Sequence, residues 1–164
     1  MVGVALCCLS STQVPSVRVL NGKPLAVDRL DAYLTAEMSS LGLPGLSIAI
    51  INDGRIAYHR VLGVSNVDTV AKVTDETLFD AGSMAKTPLT DIDGVWYGLG
   101  LRVKPSELGA EYRHGGYNLN FSSGFMFNAE QKFGYVFFTN CEKGQEFDAR
   151  LAAFLATGVK SDPQ

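Results

Sequence analysis

The chain has little of what a metal, nucleic acid or disulfide framework needs. Only 3 of its 164 residues are cysteine and 2 are histidine. Cys7 and Cys8 are adjacent and Cys141 stands alone, so the paired spacings of a zinc site or a disulfide scaffold are missing. All three read as structural or free thiols. Charged residues make up 19% and sum to −3, which leaves no basic face for a polyanion and excludes nucleic acid as a partner. A small or neutral ligand fits better. No apolar run reaches membrane-spanning length. Met1 to Leu9 has the apolar character of a secretion signal but lacks its basic start. Residues 1–24 are therefore read as an N-terminal segment, with a signal remnant and a periplasmic or secreted location as one reading.

What is present is enough apolar sequence for a core. Hydrophobic residues are 46% of the chain, and a chain of this length buries about 68–70% of its unfolded surface, so neither metal nor disulfide is required to hold it. One domain, residues 25–160, is expected. Val27, Leu30, Leu34, Met38 and Leu41 recur at helical steps and Gly42 follows as a cap, which predicts an amphipathic helix. Leu46 to Ile51 reads as a strand, Asn52-Asp53-Gly54 as a tight turn and Arg55 to Val64 as the returning strand. Downstream, Val95 to Val103, Tyr112 to Asn120, Ser122 to Asn128 and Lys132 to Thr139 carry the β-branched and aromatic residues of a meander. Phe147, Leu151, Phe154 and Leu155 form one face of a closing helix that stops at Gly158. The fold class expected is α+β: a mainly antiparallel sheet, the N- and C-terminal helices on one face, and a short serine-bearing helix on the other.

That short helix holds the chemistry. In Phe79-Asp80-Ala81-Gly82-Ser83-Met84-Ala85-Lys86, Ser83 is the only serine with a lysine three residues on. Residues so spaced share a helix face with Cβ atoms roughly 5–6 Å apart, so a neutral Lys86 amine can take the Ser83 proton beside the free N–H groups of the first turn. The spacing alone also fits a helix cap with a solvated lysine. Pro88 and Asp91-Ile92-Asp93-Gly94 are expected to end the helix in a turn. No cluster has metal-ligand spacing, no glycine-rich loop is placed to cradle phosphate, and no cofactor is implied. His59, in the hairpin's second strand, reads as a solvated strand histidine rather than a relay partner.

Several stretches together resemble the superfamily of serine β-lactamases, penicillin-binding proteins and family VIII esterases, in its class C and D-aminopeptidase-like branch. They are Leu43-Pro44-Gly45-Leu46-Ser47-Ile48-Ala49-Ile50, the Ser83 segment, Tyr97-Gly98-Leu99-Gly100-Leu101, and His114-Gly115-Gly116 with the strands after it. The resemblance implies that Ser83 is the acylated nucleophile, that Lys86 activates it, and that His114-Gly115-Gly116 stands where the family has Lys-Thr-Gly. It further implies an oxyanion hole from the N–H groups of Ser83 and Tyr117. The family also inserts a helical domain carrying Tyr-x-Asn or Ser-x-Asn, and neither tripeptide occurs here. His114, Tyr117, Tyr112 and Tyr97 are the candidate replacement proton carriers, with packing in the sheet the alternative for each. A small acyl substrate, a β-lactam or short-chain ester, is the partner implied. The uncovered serine helix, with Phe79, Met84 and Leu89, is expected to drive two chains together as a homodimer or larger assembly.

Overall fold

A computed structural model describes residues 15–81, 90–92, 95–98 and 101–160. Helix α1 spans Val27–Leu41 and helix α2 spans Gly144–Thr157. Both end as their sequences predict, on a glycine in the left-handed region: Gly42 at φ 66°, with its N–H directed to the Met38 and Ser39 carbonyls, and Gly158 at φ 74°. No atom lies within 4 Å of a Cβ built at Gly42. Gly42→Ala therefore has only backbone strain to meet, and thermal unfolding should register a loss of about 1 kcal/mol.

The strands are β1 (Ser16–Arg18), β2 (Pro24–Ala26), β3 (Gly45–Asn52), β4 (Arg55–Asn66), β5 (Ala71–Lys72), β6 (Thr90–Ile92), β7 (Val95–Gly98), β8 (Leu101–Lys104), β9 (Glu111–Asn118), β10 (Phe121–Asn128) and β11 (Phe133–Thr139). The first two pair with each other. The other nine form one antiparallel sheet in the order β5-β4-β3-β11-β10-β9-β8-β7-β6. The fold is thus α+β.

Period-2 alternation divides this sheet into two faces. On one, Leu46, Ile48, Ile50, Tyr135, Phe137 and Met126 pack against Leu30, Leu34, Phe147, Leu151 and Leu155 of the two helices. Tyr33 of α1 stacks on Phe154 of α2 with ring centroids 3.8 Å apart, so both helices share that face. Each such fully buried side chain contributes about 1.5–3 kcal/mol.

Three expectations are corrected. Val95 to Val103 is a hairpin rather than one strand, because Gly98 pairs with Leu101 and Trp96 with Val103. Asp91-Ile92 lies in β6 rather than in a turn, paired to β7 with Ile92 opposite Val95. The turn expectation narrows to Asp93-Gly94, which lies outside the described residues and is a dipeptide suited to a two-residue hairpin connection. Finally, residues assigned to the N-terminal segment belong to the fold: Val17, Val19 and Leu20 are core residues. Three-residue strands are too short to show alternation, so the sequence pattern held no sign of them. No helix among the described residues is long and apolar enough to cross a membrane.

Candidate functional site

The second face of the sheet carries the candidate site. On β9 and β10, Gly116 pairs with Ser123 and His114 with Phe125. Residues 79–81 lie across this face, opposite the helices. The Ser123 hydroxyl donates to the Ala81 carbonyl at 2.7 Å, the Asn118 amide donates to the Asp80 carboxylate at 2.5 Å, and the Phe79 ring sits 6.4 Å from that of Phe138. A Cβ built at Gly116 would stand 1.8 Å from the Ala81 carbonyl oxygen, so only glycine lets the two backbones meet. Phe79 is half-buried there, which differs from the exposure expected of it.

Ser83 and Lys86, with Gly82, Met84, Pro88 and Leu89, lie outside the described residues. Ser83 follows Ala81 by two positions in sequence. Tyr97 lies in β7.

The triplet His114-Gly115-Gly116 falls on β9 near an edge. The β8 ladder reaches β9 at Lys104–Glu111, Val103–Tyr112 and Arg102–Arg113 and then ends, so among the described residues Gly115 to Asn118 are paired only on the β10 side. Gly115 and Tyr117 are exposed, whereas Gly116 is buried beneath Ala81. His114 is half-buried, its ring centroid 6.2 Å from that of Phe125. His114, Gly116 and Asn118 share the face that carries residues 79–81, and the alternation turns the Tyr117 side chain to the other face. Tyr112 stacks on Phe127 at 4.7 Å, the packing role left open for it.

Below the site strand, a buried polar chain fixes β9 to the helix layer. Arg113 donates to the Tyr135 hydroxyl at 2.6 Å, and that hydroxyl donates to Asp148 of α2 at 2.6 Å. Burial, reinforced by the Asp148 charge, pushes the Tyr135 hydroxyl far above its usual range, so it stays a donor throughout the physiological range.

His59 has an acidic neighbour that sequence spacing did not indicate: its Nδ1 is 3.7 Å from Asp75. Both side chains are largely solvated, so the contact adds little to stability. His59, Ala49, Val136, Phe125 and His114 stand in one row across five strands, which separates the two imidazoles by about 19 Å. His59 is no relay for His114.

Ser123 is the residue that sequence reasoning missed. Its hydroxyl, on a residue only 8% exposed, holds residues 79–81, the segment that precedes Ser83 in sequence. The available signal was a serine on a mostly apolar strand directly after a Gly-Gly strand, but its partner, Ala81, is 42 residues away. Among the described residues no group of three His, Cys, Asp or Glu side chains is gathered as a metal site requires.

Residues 30–90 match the family model described as Beta-lactamase. Over this stretch the chain is similar to the β-lactamase family. A Pseudomonas fluorescens protein described as a β-lactamase is 31% identical to it over 83 residues, which are 51% of this chain and 23% of that relative. The match therefore spans about a quarter of the relative's length. Ser83 and Lys86 fall inside the β-lactamase match, whereas His114 to Tyr117 lie beyond it.

Proposed function

We propose that the chain is a serine acyl hydrolase that forms an acyl-enzyme at Ser83 with β-lactams or short-chain esters. The observation that carries this reading is the contact of the Ala81 carbonyl with Gly116 and Ser123. Ser83 follows Ala81 by two positions in sequence, and two residues of chain reach at most about 7 Å. The family match over residues 30–90 includes both Ser83 and Lys86 and supports the same assignment.

In this mechanism the Ser83 Oγ attacks the carbonyl carbon while a neutral Lys86 accepts its proton. Negative charge gathers on the carbonyl oxygen, where the N–H groups of Ser83 and Tyr117 receive it, and Gly115 and Gly116 let the substrate approach backbone. Collapse breaks the C–N or C–O bond, and the leaving atom takes the proton back from Lys86 or through His114. Water then attacks the ester at Ser83, restoring the hydroxyl and releasing the acid. A lysine near its solution pKa of roughly 10.4 is mostly protonated at pH 7, so this base works only where desolvation lowers it. Hydrolysis of a chromogenic β-lactam or a p-nitrophenyl ester should disappear in Ser83→Ala and in Lys86→Ala. Undiminished rates in both variants would refute the assignment.

A second reading is a domain that binds β-lactams or cell-wall peptides without turnover. Strand β6 begins at Thr90, so the sequence between Lys86 and the sheet has no room for an inserted helical domain with its Tyr-x-Asn element. Intact mass after incubation with penicillin separates the readings: a persistent adduct at Ser83 means acylation without release.

A further inference from the structure

The face that carries residues 79–81 continues away from Gly116 as an apolar groove. Its cavity volume is about 640 Å³, and Ile51, Phe125, Phe127, Gly134 and Val136 line its floor. The rings of Phe127 and Phe125 follow one another along it with centroids 6.5 Å apart and nearly parallel planes, and Tyr112 stacks on Phe127 at 4.7 Å. Phe127 is 40% exposed although its strand lies inside a nine-stranded sheet. The far end is polar, where Asp53 and Lys132 stand at the hairpin turns, and Arg18 already engages Asp53 at 3.1 Å.

Register ties the groove to the candidate site. Phe125 and Val136 are opposite each other on β10 and β11, and Ser123 and Phe138, which touch residues 79–81, form the next row on the same face. Phe127 and Gly134 form the row beyond. From Ser123 to Phe127 is four residues of strand, about 13 Å, the length of an extended decanoyl chain.

We propose that this groove binds the hydrocarbon tail of a medium-chain acyl group whose carbonyl end lies toward the Gly115-Gly116 edge. The inference rests on the acyl-hydrolase reading and extends its ester class from short to medium acyl chains. The volume is that of a small-molecule site. The floor is apolar along the length of the tail and offers nothing for a polar substituent to bond. Among the described lining residues the polar ones, Asp53, Asn128 and Lys132, stand at the far rim, where a chain of this length ends. A flat contact between two copies would need no such trough.

Two measurements test it on the full chain. Calorimetric titration with sodium decanoate, below its micellar range, should show saturable binding to wild type and to Ser83→Ala alike, and Val136→Asp should weaken it at least tenfold. Each methylene placed on the groove adds about a fourfold preference, so the ratio of kcat/KM for p-nitrophenyl decanoate over butanoate should fall at least tenfold in Phe127→Ala. Absence of saturable binding by folded wild type, or an unchanged ratio in Phe127→Ala, overturns the proposal. So does a concentration-dependent dimer in sedimentation that Phe127→Asp dissociates, because the groove is then the interface between copies. If Ser83→Ala hydrolyses esters like wild type while decanoate still binds, the catalytic assignment fails and the groove stands as a lipid-binding site.

Discussion

Gly116→Val is expected to lower turnover at least a hundredfold and to destabilise the fold by about 1–3 kcal/mol, the usual cost of forcing volume into a packed contact. The added Cβ would stand 1.8 Å from the Ala81 carbonyl oxygen and 2.7 Å from the Ser123 Oγ. The first of these is backbone, which cannot swing aside as a side chain does, so residues 79–81 must lift from the sheet. Lifting them breaks the Ser123–Ala81 hydrogen bond and leaves a buried hydroxyl without its acceptor. It also moves the chain that leads to Ser83, and a displacement of about 1 Å at a reacting group costs on the order of a hundredfold in rate. Gly115→Ala is the control. Its Cβ would approach the Ser123 carbonyl at 3.4 Å, an ordinary contact, and stability should stay within about 0.5 kcal/mol of wild type. Urea unfolding and chromogenic β-lactam hydrolysis read both variants. Wild-type values for Gly116→Val in both assays would mean that Ala81 does not rest on β9 in the working protein.

What the sequence revealed and what it hid follow one physical division. Helix α1 was legible residue by residue, since Val27–Leu41 carries its apolar stripe and its glycine stop within a single window. The β3–β4 hairpin was legible for the same reason, with Asn52-Asp53-Gly54 between two β-rich runs. Strand β4 runs on to Asn66 because its far end pairs with Ala71 and Lys72 of β5, a partner too short to show in the pattern. The split of Val95 to Val103 was hidden because a β-rich run looks alike whether it is one strand or two, and pairing between Trp96 and Val103 decides it. At the candidate site, Gly115-Gly116 could be read as a place of close approach, but not what approaches. The Ala81 carbonyl arrives from 35 positions upstream of Gly116, and no periodicity encodes that meeting. The same holds for the aromatic pair Phe125 and Phe127: each residue suits a strand, and only register reveals that the two line one groove.

The largest stability effect on the helix face should come from removing both cations around Glu37. This carboxylate sits on α1 with its side chain 1% exposed, Lys160 Nζ at 2.8 Å from one oxygen and Arg150 Nη1 at 2.9 Å from the other. Burial alone pushes its pKa up, but the hydrogen bonds and charges of Lys160 and Arg150 outweigh that and hold it below the usual carboxylate range. In wild type the group therefore stabilises the fold above its unfolded pKa of roughly 4.3, and the contribution is lost only as the pH falls through the lowered folded value. In the double variant Arg150→Ala/Lys160→Ala the sign reverses. Desolvation is then unopposed, the folded pKa rises above the unfolded one, and a buried, uncompensated charge costs about 3 kcal/mol at pH 7. That penalty shrinks as the pH falls and the carboxyl takes up a proton, so the variant should recover stability relative to wild type between pH 7 and pH 5. In a Glu37→Gln background the same two substitutions should cost under about 1 kcal/mol, because both cations are substantially exposed, at 40% and 57%, and have lost the charge they serve. Urea unfolding at the two pH values decides the matter: an equal loss in the Glu37→Gln background, or a larger loss at pH 5 than at pH 7, would mean that the buried carboxylate is not what these residues compensate.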